Sequence, residues 1–340
     1  MSSERMKILD MVAEGKLTVE EATQLLENIS QTETIAVETP QATLVNAGPS
    51  DEEGGELMPS MAHMDQPPAT PSMSEHGVWD RIKRAVSSLG SKEKYTEDLD
   101  WELDGANIEA IMAHTTNGSI TFEGTSAKRI TVQAHKMVRS PSMDEAEAFA
   151  QQVQIKIEQQ EGMLRITKAH PKPPIGVDVS VSYVIQGPDK VNLTLETTNG
   201  KILAEQVEGV VKTRSTNGKI RLNAITGQVE ARTTNGGIQV EVIGLNDESR
   251  FDTTNGSINV GVQHGIAPIQ ANTSNGSINL TLPADFSGQL DAQTVNGKVT
   301  SELATILERQ SRTHLIGQIG EGGDTPLKLR TTNGSIRLAV

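Results

Sequence analysis

Apolar and polar residues alternate from about residue 100 to the end of the chain, which is the pattern of strands that bury one face. In residues 228–242, QVEARTTNGGIQVEV, Val229 and Ala231 share one face, and Ile238 and Val240 share one face after an Asn-Gly pair. The pattern predicts two short strands joined by a corner.

This corner recurs along the chain, usually after two hydroxyl-bearing residues and before a β-branched residue. Its eight asparagines are Asn117, Asn199, Asn217, Asn235, Asn255, Asn275, Asn296 and Asn333. Between Asn199 and Asn296 they are spaced 18–21 residues apart, and a second glycine follows about half a period later. We expect that glycine to mark a second corner. Both residues of the Asn-Gly pair tolerate positive φ, which favours them at tight corners.

The number of copies separates a structural motif from a catalytic one, because a reaction needs one copy and a stacked corner needs one per layer. Stacked corners would form polar ladders, and a period near 20 is typical of repeat arrays. A hairpin meander of this length would need about twenty strands, more than open sheets usually have. We therefore predict a mainly β protein: a parallel β-helix or β-solenoid of about 18–21 residues per rung, with a small N-terminal α-helical hairpin. An antiparallel sandwich or barrel is the alternative, since Asn-Gly also suits hairpin turns.

The spacing is irregular at two places. The interval of 82 residues between Asn117 and Asn199 holds an insertion, in which residues 142–153, SMDEAEAFAQQV, predict a short helix capped by Ser142. Alternating residues on either side of this helix predict strands. The interval of 37 residues between Asn296 and Asn333 predicts two periods with one diverged corner.

Composition divides the chain into four predicted segments. Residues 1–30 carry two amphipathic helical patterns, which we interpret as a docking domain for a protein partner or for self-association, because so short a segment buries too little to fold alone. Residues 31–77 contain eight Asp or Glu, no Lys or Arg and six prolines, which is typical of a disordered acidic linker. Residues 78–98 are predicted to be an amphipathic helix or cap, and residues 99–340 the repeat domain.

An apolar stripe in the third segment suggests two roles. The stripe consists of Trp79, Ile82, Val86 and Leu89 and lies beside three basic residues. We favour a cap that covers the open end of the repeat stack, because such an end exposes core and strand edges. Peripheral contact with an anionic membrane surface is the alternative.

Charge and composition narrow the class of protein. A net charge of −14 and an aromatic content of 2% argue against binding nucleic acid. The chain has no cysteine, so a thiolate nucleophile and a cysteine-based zinc site are excluded. The first residues do not have the pattern of a signal peptide, and no run approaches the roughly 20 apolar residues of a membrane span. We expect a cytoplasmic protein that is able to associate with a membrane.

Motifs for catalysis, cofactors or metals are missing from the sequence, and no two histidines have metal-ligand spacing. We therefore predict a protein that is not an enzyme and holds no cofactor or metal. A β-helical carbohydrate-active enzyme is the alternative, and it would need carboxylates that converge on one sheet face. The candidates, Asp178, Asp252 and Asp291, do not share one position in successive repeats.

The hairpin ERMKILDMVAEGKLTVEEATQLLE, the low-complexity linker and the array of T-[ST]-N-G-x-I turns together resemble the bacterial LiaX-like and YvlB-like proteins. The resemblance covers residues 1–30 and roughly 100–340, and the corners from Asn199 to Asn275 match best. It implies a β-helical, adhesin-type domain without catalytic residues, in proteins linked to cell-envelope stress. We therefore predict a non-catalytic interaction or scaffold protein in that response, with a surface adhesin as a further alternative.

Overall fold

The computed structural model describes residues 92–265, 267–303, 305–321 and 323–340. In these residues the chain forms 21 strands, joined in one mixed, mostly parallel sheet, and one α-helix. The mainly β prediction is confirmed. The predicted docking domain at 1–30, the linker at 31–77 and the stripe of Trp79, Ile82, Val86 and Leu89 lie outside the described residues.

The elements follow one another in this order: β1 (Glu93–Asp104), β2 (Ala110–Asn117), β3 (Ile120–Thr125), β4 (Arg129–Ser140), α1 (Met143–Ala150), β5 (Gln154–Gln160), β6 (Met163–Ala169), β7 (Asp178–Pro188), β8 (Asn192–Asn199), β9 (Ile202–Ser215), β10 (Ile220–Arg232), β11 (Ile238–Leu245), β12 (Ser249–Asn255), β13 (Ile258–His264), β14 (Ile269–Asn275), β15 (Ile278–Thr281), β16 (Gly288–Asn296), β17 (Val299–Ser301), β18 (Thr305–Gln310), β19 (His314–Ile319), β20 (Pro326–Asn333) and β21 (Ile336–Ala339).

Each Asn-Gly corner joins two strands that pair with the neighbouring repeats and not with each other. We call a corner with its two flanking strand segments a layer and name it by its asparagine. Strand β12 pairs in parallel with β14, with Asn255 opposite Asn275, and β13 pairs in parallel with β15, with Ile258 opposite Ile278. The alternative of antiparallel hairpins at these corners is therefore wrong.

Identical register brings like side chains together in the core. The residue three positions after each corner asparagine is buried in every layer, where it packs on its counterparts. These residues are Ile120, Ile202, Ile220, Ile238, Ile258, Ile278, Ile336 and Val299. Repetition of a β-branched residue at this position therefore specifies both the buried face and the register.

The order of layers differs from the order of the chain at the C-terminal end. Strand β20 pairs with β14 on one side and with β16 on the other, and β21 lies in the same way between β15 and β17. The Asn333 layer is thus inserted between the Asn275 and Asn296 layers.

The expectation of two periods with one diverged corner is wrong: β18 and β19 form an antiparallel pair, and β19 pairs antiparallel with β16. Leu315 and Ile319 of β19 are buried there, so the hairpin covers apolar surface that the last layer would otherwise expose.

The 82-residue interval contains no corner layer, because the Asn117 layer stacks directly on the Asn199 layer through β2–β8 and β3–β9. The insertion lies on the other side of the Asn117 layer from the Asn199 layer, where β6 pairs with β2 and β7 pairs with β3. The predicted helix is confirmed as α1, and the Ser142 side chain caps it by accepting a hydrogen bond from the Glu145 N–H at 3.3 Å. The buried Lys136 ammonium fixes this helix to the sheet by donating to the Ala150 carbonyl at 2.9 Å and by pairing with Glu97 at 2.6 Å.

The sheet ends at β1 on the side of the insertion. This strand pairs antiparallel with β4, which in turn pairs antiparallel with β7. Strand β1 begins at Glu93, so residues 93–98, which were predicted to belong to an amphipathic helix or cap, are part of a strand. The sequence EKYTEDLDWELD alternates in burial, and Tyr95, Leu99 and Trp101 pack on the core. Its many carboxylates discourage pairing of this edge with another chain.

The second glycines do not form a uniform corner. Gly209, Gly227 and Gly244 lie inside β9, β10 and β11, so these strands continue through the position where a corner was predicted. The chain instead bends at Gln206 and Ala224, whose φ values are +58° and +52°. Each is an extra residue that breaks the regular alternation, which is how a bulge turns a strand without ending it.

Candidate functional site

The eight corner asparagines lie in one continuous row along the stack. In seven of the eight, the side-chain Nδ2 donates to Oδ1 of the asparagine in the adjacent layer, at 2.7–2.8 Å. In stacking order the row is Asn117, Asn199, Asn217, Asn235, Asn255, Asn275, Asn333 and Asn296. All eight amides point the same way, and at the end of the row Asn117 Nδ2 donates to the Val179 carbonyl at 3.2 Å.

A buried hydroxyl beneath each asparagine joins neighbouring layers. The residue two positions before each asparagine is a buried Thr or Ser that donates to a backbone carbonyl of the adjacent layer, at 2.7–3.2 Å. In seven of the eight layers the acceptor is the corner glycine of the neighbouring layer; for Thr115 it is Val181. This role of the hydroxyls was not predicted from the sequence. The alternation indicated it, because these residues fall on the same face of the strand as the buried apolar residues.

The corner glycine is required by the close approach of the layers. A Cβ at Gly256 would lie 2.0 Å from the Gly236 carbonyl oxygen, and at Gly218 it would lie 1.7 Å from that of Gly200. Within the described part of the chain, the only non-glycine residues with positive φ are Glu161, Gln206 and Ala224, so no corner asparagine adopts it. The expectation that Asn-Gly serves positive φ is therefore wrong for all eight asparagines and for six of the eight corner glycines, since of these glycines only Gly118 and Gly334 have positive φ. The asparagine amides are selected for the row instead.

The surface of the corner carries a second hydroxyl row. The residue directly before each asparagine is Thr116, Thr198, Thr216, Thr234, Thr254, Ser274, Thr332 or Val295. Most of these side chains are exposed, and the Val295 side chain interrupts the hydroxyls with an exposed apolar group. We call the exposed hydroxyl row and the asparagine row together the corner surface.

A cleft of about 590 Å³ opens at the Asn117 end of the corner surface. Strands β4 and β7 form one wall, and the corners of the Asn117 and Asn199 layers form the other. The lining residues are Asn117, Gly118, Ser119, Met137, Arg139, Asp178, Val179, Ser180, Ser182, Asn199, Gly200 and Lys201. Asp178 is bound by Lys92 at 2.7 Å, whereas Arg139 and Lys201 are exposed and have no carboxylate within ion-pair distance among the described residues.

Two clusters of charge lie on the outer face of the strands that precede the corners. Asp252 accepts hydrogen bonds from Arg250 at 2.6 Å, Asn272 at 2.9 Å and Arg232 at 3.0 Å. Burial alone would raise the pKa of Asp252, but these hydrogen bonds and the Arg250 charge outweigh it and lower the pKa. In the other cluster, Asp291 binds Arg330 at 2.7 Å and lies 3.3 Å from His314.

The three carboxylates considered for carbohydrate chemistry do not converge. Asp252 lies in the Asn255 layer and Asp291 in the Asn296 layer, three layer spacings or roughly 14 Å apart. Asp178 lies in the cleft beyond the opposite end of the row. Glycoside hydrolysis places its two carboxylates about 5–9.5 Å apart. These three residues thus supply no such pair.

Neither a metal site nor a membrane-spanning helix is found in the part of the chain that the structure describes. No group of three or more His, Asp or Glu there is arranged to hold a metal ion. Over the same part of the chain, no helix has the length and apolar character needed to cross a membrane.

Two sequence families match parts of the chain. Residues 3–33 match the profile of a SHOCT-like domain, and residues 185–340 match a domain of unknown function, DUF7330. A search of curated proteins found no match.

Solved structures of bacterial proteins described as adhesins align with this chain at low identity and low TM-score. A "putative cell adhesion protein" from Clostridium sporogenes is 13% identical, with a TM-score of 0.31, and the alignment covers 73% of this chain and 99% of that one. A "putative adhesin" from Bacteroides fragilis is 12% identical, with a TM-score of 0.36 and coverage of 73% and 98%. A "putative adhesin" from Parabacteroides distasonis is 8% identical, with a TM-score of 0.38 and coverage of 73% and 98%.

Proposed function

We propose that the chain is a non-catalytic interaction or scaffold protein, in which a β-solenoid presents the corner surface to a binding partner. The observation that carries the proposal is the continuous row of eight asparagines. Each amide in the row is held by its neighbours, so the surface is ordered before any partner arrives, which lowers the entropy cost of binding.

The repetition favours binding over catalysis. A reaction needs a few unlike groups at one place, whereas the corner surface presents the same amide and hydroxyl at every layer, about 4.8 Å apart. Such a surface suits an extended partner that makes the same contact many times.

The role in the cell-envelope stress response belongs to the same proposal. It is supported by the resemblance to LiaX-like and YvlB-like proteins. In this proposal, residues 1–30, which overlap the SHOCT-like match at 3–33, bind a protein partner or a second copy, and either the solenoid or the Trp79 stripe meets a membrane component. A carbohydrate-active enzyme and a surface adhesin are the competing functions.

Site-specific photo-crosslinking in cells tests the proposal. A photoreactive residue replaces Thr216, Thr234 or Thr254 on the corner surface, and a matched variant carries it at exposed Glu158 on β5. We expect the three corner positions to crosslink to one discrete partner and the Glu158 position not to do so. Equal crosslinking at all four positions would contradict a specific corner surface.

The competing functions predict different results. An enzyme would release reducing ends from a polysaccharide and lose that activity in Asp252→Asn or Asp291→Asn. An adhesin would be labelled at the surface of intact cells by a reagent that does not cross membranes. Either result would replace the proposal.

A further inference from the structure

We propose that the cleft at the Asn117 end of the corner surface, together with a basic strip beside it, binds phosphate groups of an extended anionic polymer. The basic strip consists of Arg139, Lys201, Lys219 and Arg221. This inference rests on the proposed binding function and names the chemistry of one partner.

The strip is a local excess of positive charge on a chain whose net charge is −14. All four side chains are exposed, and none forms an ion pair or a side-chain hydrogen bond within the described residues. Some other basic groups are paired, as Arg232 and Arg250 are with Asp252 and Arg330 is with Asp291. Others, such as Lys156 and Lys172, are exposed without an ion pair among the described residues, so the strip is distinguished by the stacking of its cations beside the cleft.

The parallel register places these cations next to one another. Lys201 and Lys219 each precede the buried isoleucine of their layer, and Ile202 pairs with Ile220, so the two lysines occupy the same position in adjacent layers. Arg221 projects from the same side of β10 as Lys219, with uncharged Leu203 and Gln239 on either side of it in the neighbouring strands. Stacked like charges about 4.8 Å apart repel one another, and a bound anion would remove that repulsion.

The carboxylates near the strip are already engaged. Asp178 lies opposite Arg139 in the β4–β7 register, but its carboxylate binds Lys92 at 2.7 Å. Glu205 accepts a hydrogen bond from Asn223 at 2.7 Å and keeps its negative charge, but it forms no ion pair with the strip. The four cations have no carboxylate within ion-pair distance among the described residues, so they are able to bind an external anion.

The asparagine row adds to the positive potential of the cleft. Every amide donates from Nδ2 in the direction of Asn117, so the side-chain dipoles add along the row with their positive ends toward the cleft. Hydrogen bonds in a chain polarise one another, which strengthens this alignment.

The donors of the cleft suit phosphate. Arg139 offers a planar guanidinium that can bind two oxygens, and Lys201 offers a point charge. The hydroxyl of Ser119 lies 3.5 Å from that of Ser182, and both serines line the cleft with these cations. A phosphate carries more acceptor oxygens than a carboxylate and can use cations and hydroxyls together.

The arrangement favours a polymer over a lipid surface. The first phosphate would occupy a concave cleft of about 590 Å³, and the strip continues from it to Lys219 and Arg221 in the next layer. A flexible chain can enter the cleft and follow the strip, whereas a flat bilayer would meet the rim of the cleft.

Binding of inorganic polyphosphate to the full-length protein tests the proposal. We expect the double variant Lys201→Gln/Lys219→Gln to bind at least about tenfold more weakly in titration calorimetry, since each lost cation removes a charge-assisted contact. The control is Lys156→Gln/Lys172→Gln, which has the same net charge and changes two exposed lysines outside the strip. Lys201→Arg/Lys219→Arg should retain binding. Affinity should fall as salt rises, and less steeply in the double variant.

Several outcomes would overturn the inference. It fails if the unmodified protein does not bind polyphosphate, or if the double variant and the control bind equally. Equal binding of a polyuronate would reject phosphate as the recognised group, and binding only to vesicles of anionic phospholipid would reject the polymer. Each of these results leaves the crosslinking of the corner surface unchanged, so failure of this inference is distinguishable from failure of the proposed function.

Discussion

Replacing a corner glycine by alanine should separate two layers of the stack, and Gly256→Ala is the clearest case. The added Cβ would lie 2.0 Å from the Gly236 carbonyl oxygen, whereas real Cβ atoms essentially never come within 3.0 Å of another heavy atom. The obstacle is backbone, so no side chain can move aside. The two layers must therefore move apart locally by at least about 1 Å.

The cost of that movement follows from the bonds at the same place. Thr253 donates to the Gly236 carbonyl at 2.9 Å, and Asn255 donates to Asn235 at 2.8 Å. Loss of these two hydrogen bonds costs about 1 kcal/mol each, and overpacking adds about 1–3 kcal/mol. We therefore expect Gly256→Ala to lower the free energy of unfolding by about 3–5 kcal/mol.

The matched control is Gly261→Ala, in the strand that follows the same corner. Its Cβ would lie 2.3 Å from the Glu241 carboxylate oxygen, but that atom ends an exposed, flexible side chain that can swing away. We expect a cost below about 1 kcal/mol.

Urea unfolding followed by circular dichroism measures both variants. Native-state hydrogen exchange shows whether the loss is confined to the altered layers, because a repeat array can open in parts. Equal destabilisation by the two substitutions would refute the reasoning that glycine is needed for layer contact. So would a neutral Gly256→Ala.

Three further substitutions test single groups. Thr253→Val leaves the Gly236 carbonyl without its buried donor and should cost about 1–2 kcal/mol in urea unfolding, whereas Thr254→Val on the exposed row should change little. Because its pKa is lowered in the folded state, the Asp252 carboxylate contributes stability above its ordinary pKa, and that contribution is lost as pH falls through the folded value. The urea midpoint should therefore fall less steeply on acidification in Asp252→Asn than in the unmodified protein, and equal slopes would contradict this. The buried Tyr183 hydroxyl has no hydrogen-bond partner among the described residues, so Tyr183→Phe should be neutral or raise stability by about 1 kcal/mol, and a clear loss of stability would reveal a partner.

Much of the layer structure was predictable because it is local and repeated. The alternation in QVEARTTNGGIQVEV specifies which side chains are buried, and the recurrence of Asn-Gly-x-Ile specifies which residues share a level of the stack. The α1 helix was also predictable, since its cap at Ser142 and its apolar spacing depend only on neighbours in sequence. The reason for the corner glycine was not predictable, because it depends on how closely two layers approach.

Contacts between residues distant in sequence were beyond this reasoning, and the C-terminal layer shows why. Arg330 and Asp291 are 39 residues apart, yet they bind at 2.7 Å because β20 is inserted beside β16. Nothing in the repeat distinguishes this position from the end of the stack, since every layer offers the same hydrogen-bonding edge.

The cleft also depends on contacts between residues that are distant in sequence. Arg139 belongs to β4 in the insertion and Lys201 to a corner, and they line one cavity only because β4 and β7 continue the sheet beyond the Asn117 layer. Repetition thus specifies the layers but not their order, and the cleft forms where the strands of the insertion extend the sheet beyond the repeats.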